Sequence, residues 1–439
     1  MHPRTRRRRL APRRLIAAAL LVVVACSEPS RDLPTASAPT PTRSPTVSPS
    51  PPEEPAEPAA SSVKLASAPG GSFLVRGRYP FAPSSCRDPE QPTLTGRFPG
   101  TLRVRLADDG TISLTVTLTF DRYLEGIAEV PPSWPAAALD AQAIAARSYA
   151  LATTRWSGDE GDTLDQPICA TTSCQVYRGI PVPPDPTHRR WIRAVRRTDG
   201  EVLLDGGVPA TTVYFSTSNG RTYGNEDVFG SEPLSYLRPV SERDDGASPT
   251  SRWRVRLPLG DLTAFLRAAG RWSGRSIARA TTSDGTLTLR GGGTTRSLDA
   301  DDLRDAVNIW APCLRPRHYP TEERGSQLPL TIPSRWLQVS ATDRAVVVTG
   351  RGWGHGAGMV QWGAYGKARR GWSAAEILSF YYGGLRPEPH PEPGLIHVQI
   401  ASGLTGLRIR SHTGASMDGE PLEPGLVVIT GGDRLLVER

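Results

Sequence analysis

An α+β architecture built around one central, alanine-rich helix is what these 439 residues predict. Three observations carry that expectation. Residues 103–120, RVRLADDGTISLTVTLTF, alternate apolar and polar side chains on either side of Asp109-Gly110, the pattern of a β-hairpin. Residues 135–151, PAAALDAQAIAARSYAL, place a proline where a first helical turn accepts one, then alanines of the highest helix propensity. Beyond them, short strand-like and helix-like segments alternate with no internal repeat. The stretch 395–439 then returns to β patterning with Gly-rich turns.

The N-terminus precedes all of this and reads differently. The formal net charge is +8, but Arg4, Arg6, Arg7, Arg8, Arg9, Arg13 and Arg14 supply most of it. The remainder is close to neutral, which argues against a duplex-DNA partner and against nucleic acid generally, because such affinity rests on neutralised phosphates. The basic tip runs into LIAAALLVVVA at 15–25, too short for the ~20 apolar residues of a membrane-spanning helix and typical of a secretory signal. The signal ends at Cys26, and Val-Val-Ala-Cys resembles a bacterial lipobox, so lipid on Cys26 is expected to anchor the chain at the membrane. An ordinary cleaved signal is the plainer alternative. Ten of the 34 residues at 27–60 are proline, a composition that buries no core, and 26–65 is read as a disordered tether.

The remaining elements follow in order. An N-terminal β region is expected over 66–120, a principal domain over 121–390 and a C-terminal β segment over 391–439. Strands are predicted at 202–215, 253–257 and 345–348, and helices at 262–269, 300–309, 364–370 and 373–382. Ser373 and Glu376 form a capping box at the start of the last helix. Once exported, Cys86, Cys169, Cys174 and Cys313 form an even set that suggests disulfides. Pairing Cys169 with Cys174 and Cys86 with Cys313 is one of three possibilities.

Several generic motifs fail. Gly352-x-Gly354-x-x-Ala357 only loosely matches a dinucleotide fingerprint, with Trp353 and His355 filling the small positions. Ser61-Ser-Val-Lys64 has a serine–lysine spacing but sits at the end of the tether. No His-Glu-x-x-His or Gly-x-Ser-x-Gly occurs. More informative is YLEGIAEVPPSWPAAALDAQAIAARSYAL at 123–151. Glu129 stands there on a proline-fixed segment leading into the central helix, placed either to cap that helix electrostatically or to act as an acid. In RGWGHGAGMVQWGAYG, at 351–366, glycines flank His355. They serve either a tight structural turn or a close approach to a ligand.

The stretch 123–151 resembles the signature of the stage II sporulation protein D / LytB amidase-enhancer family. CQVYRG at 174–179, YFSTSNGRTYGNEDVFG at 214–230 and GRGWGHGAGMVQWGAYGKA at 350–368 follow in the family's order. The resemblance covers roughly 100–389. It implies an irregular, multi-lobed fold with a glycan cleft and action on peptidoglycan as a lytic transglycosylase, which cuts between N-acetylmuramic acid and N-acetylglucosamine. Glu129, before Val130-Pro131, matches the family's catalytic glutamate, with Glu125 as the fallback because a nearby segment is two residues shorter than usual. Gln142, Arg147, Tyr149, Ser218, Asn219, His355 and Gln361 carry over as substrate contacts, with Trp134, Trp353 and Trp362 as apolar walls. Asp140 replaces the usual lysine. Family members can hold zinc through a histidine and two cysteines. Here Cys169 and Cys174 have only Asp162 and Asp165 nearby and no histidine between 120 and 177, so a disulfide is favoured and no metal or other cofactor is expected. The alternatives to an enzyme are a non-catalytic enhancer of a wall amidase and a glycan-binding wall lipoprotein.

Overall fold

The central helix, Ala136–Thr154, is walled in on nearly every side. That is what an apolar, small-residue helix requires, since its whole circumference must find partners. Pro135 precedes it in extended conformation, and Arg155 closes it in the left-handed region at φ 55°. Ala138, Leu139, Ala143 and Ala146 face a core shared with β-sheets. Ala141, Ile144 and Ala145 face a second core with the helices Gln361–Arg369 and Ala374–Tyr381. Alanine's single methyl lets both neighbours approach closely. The chain is seen in a computed structural model that describes residues 61–78, 93–156, 166–181, 185–283, 286–315, 318–319 and 330–439. The signal, Cys26, Cys86 and most of the tether lie outside the described residues.

The predicted hairpin forms, with Thr101–Leu106 pairing antiparallel to Ile112–Thr119. The second strand alternates buried and partly buried residues along its length, as a half-buried strand should. Phe120 leaves the strand and opens a short helix, Phe120–Glu125, where its ring enters the core. Two expectations about domains change. Strand Ser62–Ser67 lies inside the stretch assigned to the tether and pairs with Thr101–Leu106, because Val63 and Leu65 supply an apolar face that a tether would not. The segments 66–120 and 391–439 are not separate regions. Leu395–Leu404 pairs with Ile112–Thr119, and Gly406–Ser411 with Ser72–Arg78, so both chain ends build the same two sheets.

Within 121–390 a third core forms from residues between Trp253 and Val348. It is built on Trp253–Pro258, Ala345–Gly350 and Leu337–Ala341 in one sheet, with the helices Leu259–Ala268 and Ala300–Leu314 beside it. Ala345–Gly350 is the middle strand and is buried on both faces, which explains its unbroken Val-Val-Val. Residues 202–215 form three short pieces rather than one strand, because Gly206 and Gly207 both take positive φ and turn the chain between Glu201–Asp205 and Val208–Pro209. Helix His188–Arg197 and the three-stranded sheet over 279–298 have no counterpart in the sequence reading. Ser373 and Glu376 make both bonds of the capping box. No helix among the described residues is long and apolar enough to cross a membrane.

Candidate functional site

Glu129 is held by a short backbone exchange. The Ala128 N–H donates to the Val176 carbonyl, and the Arg178 N–H donates to the Gly126 carbonyl. This alignment aims the Val176 N–H at Glu129 Oε1, at 2.6 Å. The carboxylate then stands at the wall of a cleft of about 660 Å³, within the ~300–1,000 Å³ typical of ligand sites. Glu129 is the one carboxylate among the described lining residues, with the Arg178 guanidinium and the His355 imidazole also in the lining. Glu125, the fallback, is buried elsewhere and paired with Arg122 and Arg196. Of the two glutamates, Glu129 is the one that lines the cleft.

Gln361 opens its helix and points its amide at both sides of the problem. Its Nε2 lies 3.5 Å from Glu129 Oε2 and 3.3 Å from Gln142 Oε1. Gln142 itself is buried behind the cleft lining and makes no wall, so it can act only through Gln361. Tyr149 and Tyr214 line the cleft near Glu129. Burial raises the pKa of both hydroxyls, and the charge of Glu129 adds to the rise, so both stay protonated at neutral pH. Tyr214 donates to Gln175 Oε1 at 2.6 Å. Trp134 and Trp362, with ring centroids 4.9 Å apart, form an aromatic wall together with Tyr365.

His355 sits in the wall, yet both ring nitrogens are taken. Nε2 lies 2.9 Å from the Tyr214 carbonyl, so it is the donor, and Nδ1 accepts from the Ala357 N–H at 3.2 Å. Although one flank of the ring is exposed, desolvation around the nitrogens pushes its pKa down to about 4, against the bond to Tyr214 that raises it. The imidazole is neutral at pH 7, and its ring lies against Phe215 and Phe229 with centroids 5.4 and 5.2 Å away. The flanking glycines are needed for this packing. Gly354 has φ 116° and a Cβ there would fall 2.6 Å from Phe215; Gly356 has φ 105° and would press on Trp336. The structural turn accounts for the glycines, and both ring nitrogens of His355 are engaged within the protein.

Two other expected contacts move away from the cleft. Arg147 is fully buried on the far side of the central helix, ion-paired with Glu392 and donating to the Val195 and Glu201 carbonyls. A cation this enclosed is a packing element. Ser218 is buried in a turn where its N–H and Oγ both donate to Asp245 Oδ2 at 2.8 Å. Asn219 lines a different pocket beside Trp336. Asp140 pairs with Arg197 at 2.6 Å, away from the cleft, so the change from lysine does not alter the lining. Trp353 lines the cleft as expected. Tyr214 and the Val176 N–H were missed, although both fall inside the motifs at 214–230 and 174–179.

Cys169 and Cys174 are disulfide-bonded, and Cys313 is also in a disulfide. With their sulfurs joined, Cys169 and Cys174 do not offer the free thiolates that a zinc site requires.

An aromatic-walled cleft with one carboxylate, supported from behind by a helix-borne amide pair, is the kind of site this fold builds. Comparison with known proteins gives the class a family. Residues 108–204 match the stage II sporulation protein family SpoIID. An amidase enhancer of Bacillus subtilis is 27% identical over 294 residues, 58% of this chain and 38% of that protein, so the match spans well under half of the relative. The stage II sporulation protein D of the same organism is 24% identical over 295 residues, 61% of this chain and 74% of its own length. An uncharacterized protein of Brachyspira hyodysenteriae is 29% identical over 279 residues, 63% of this chain and 68% of that one. These matches support a place for the chain with the stage II sporulation protein D and amidase-enhancer proteins.

Proposed function

We propose that this chain is a peptidoglycan lytic transglycosylase with Glu129 as its general acid and base. The supporting observation is that Glu129 is the one carboxylate among the described residues lining the cleft. Ordinary glycosidases need two, one of them to activate water or attack carbon. A muramoyl sugar carries its own nucleophile, the C6 hydroxyl. In the proposed reaction Glu129 gives its proton to the glycosidic oxygen as the bond from C1 breaks. The C6 oxygen then bonds to C1, and its proton returns to Glu129. No water is consumed, the carboxyl is regenerated, and the product is a 1,6-anhydromuramoyl end.

The rest of the cleft suits that sequence. Trp134, Trp353 and Trp362 offer apolar ring faces to sugars and exclude water. Gln361 fixes the rotamer of Glu129 from one side and the Val176 N–H from the other. Lipid at Cys26, export and the tether would place this site in the wall above a membrane. Disulfide bonds fit the oxidising compartment that export implies.

A second reading is kept by the same two bonds. Both carboxylate oxygens already face a donor of the protein itself, as in a site that binds glycan without cutting it, and one relative carries the name amidase enhancer. The test is incubation of the full chain with peptide-stripped glycan strands, beside Glu129→Gln. Mass spectrometry showing anhydromuramoyl ends from the unmutated protein alone supports the enzyme. Absence of such ends from both proteins, with strands retained by both, supports the enhancer.

A further inference from the structure

Three neighbouring strands end together on the lobe built around Trp253–Val348. Trp253, Gly350 and Leu337 are paired across the sheet, and the chain just beyond each carries an arginine: Arg252, Arg351 and Arg335. All three line one pocket, and all three are exposed. Like charges gathered this way repel, and a fold has no reason to collect them unless something neutralises them. Arg335 pairs with Asp301 at 3.3 Å, while Arg252 and Arg351 have no ion-pair partner among the described residues. Arginine is suited to carboxylate because its planar fork makes two parallel hydrogen bonds.

The pocket also has an apolar floor. Gly350 leaves room for the Trp253 indole, since a Cβ there would fall 2.2 Å from that ring. Trp336 is stacked on Tyr223 at 5.8 Å with planes 13° apart, and Asn219 donates to the Tyr223 hydroxyl at 2.7 Å. A charged rim over flat rings matches a sugar that bears an acid. The pocket adjoins the cleft, because Trp336 packs on Phe215, which packs on His355. Arg351 is two residues from Trp353 in the cleft lining, a span of at most ~7 Å of extended chain.

We propose that this pocket is a cationic subsite that binds a carboxylate carried on the glycan lying in the cleft, through Arg252 and Arg351. The inference rests on the glycan reading above and adds what selects the substrate. The carboxylate is either the ether-linked acid of the sugar itself or an acid on an attached peptide. The shared chemistry is a carboxylate held beside a sugar ring.

The experiment measures binding of the full chain carrying Glu129→Gln, so that strands stay intact, to three probes: peptide-free glycan strands, the same strands methyl-esterified, and strands bearing peptide stems. Arg252→Gln/Arg351→Gln is measured alongside. Esterification is expected to weaken binding about tenfold or more in the parent and hardly at all in the double variant. Peptide-free strands binding tighter than stem-bearing ones assigns the sugar's own acid, and the reverse order assigns a stem carboxylate. Equal affinity for free, esterified and stem-bearing strands in the parent overturns the subsite while leaving the cleft's glycan reading intact. Failure to bind any strand overturns that reading and the subsite with it. Circular dichroism of the double variant guards against misfolding. Arg351→Lys, which keeps charge without the fork, is expected to restore only part of the discrimination.

Discussion

The two ends of helix Gln361–Arg369 stand in contrast. Gln361 at its start reaches toward Glu129 with one long contact of 3.5 Å, holds Gln142 at 3.3 Å and borders an open cleft. Lys367, six residues on and roughly 9 Å along the axis, is enclosed. It donates to both oxygens of Glu242 and to Asp244, Glu242 also accepts from Tyr381, and the ammonium lies over the Phe380 ring at 4.2 Å. Both ends bring an amide or a cation to a glutamate. One glutamate keeps a face open to the cleft, while the other is closed off by its own protein. The difference teaches that a buried charge with every partner in place is architecture, whereas a carboxylate left facing a cavity is available for chemistry.

Breaking each end should therefore give opposite outcomes. Glu129→Gln is expected to lower formation of anhydro ends by about 10²- to 10⁴-fold, the usual contribution of a general acid, with little change in the urea midpoint. Lys367→Met is expected to cost about 3–5 kcal/mol in urea denaturation, because Glu242 is left buried without its cation, while activity per folded molecule is retained. Adding Glu242→Gln to it should recover part of that loss. A stable, inactive Lys367→Met protein would break the contrast.

Smaller effects sharpen it. Gln361→Ala should reduce kcat by about 3- to 10-fold with KM nearly unchanged, since the amide orients Glu129 rather than holding substrate. A rise in KM alone would show that Gln361 contacts the glycan directly. The smallest effect concerns His355. Its folded pKa lies below the unfolded value of about 6.5, so protons bind the unfolded chain better. Its contribution to stability is complete above pH 6.5 and is lost as pH falls toward 4. Thermal melts across that window should show a decline that is shallower in His355→Gln.

Much of this was legible in the residues. The hairpin at Asp109-Gly110, the alanine helix after Pro135 and the capping box at Ser373 are local patterns, and local patterns fix local structure. Glu129 could be singled out because the stretch 123–151 resembles the family signature, while the prolines beside it left capping and acid roles both open. The site's other half was not legible. Gln142 and Arg147 lie five positions apart on one helix, so periodicity turns them roughly 140° from each other. Periodicity does not say which side meets the cleft. Helix Gln361–Arg369 packs against one side, and Glu392 arrives from the C-terminal part of the chain on the other.

By itself, then, the sequence determined the hairpin at Asp109-Gly110, the central helix, the capping box at Ser373 and the short list of acids. Only the tertiary structure decided that Glu129 and not Glu125 faces the cavity, because Arg196 claims Glu125 from 71 residues away. It also decided that both chain ends share their sheets and that three strand ends gather three arginines. These outcomes depend on pairings between residues far apart in the chain, and no window of neighbouring residues contains both partners.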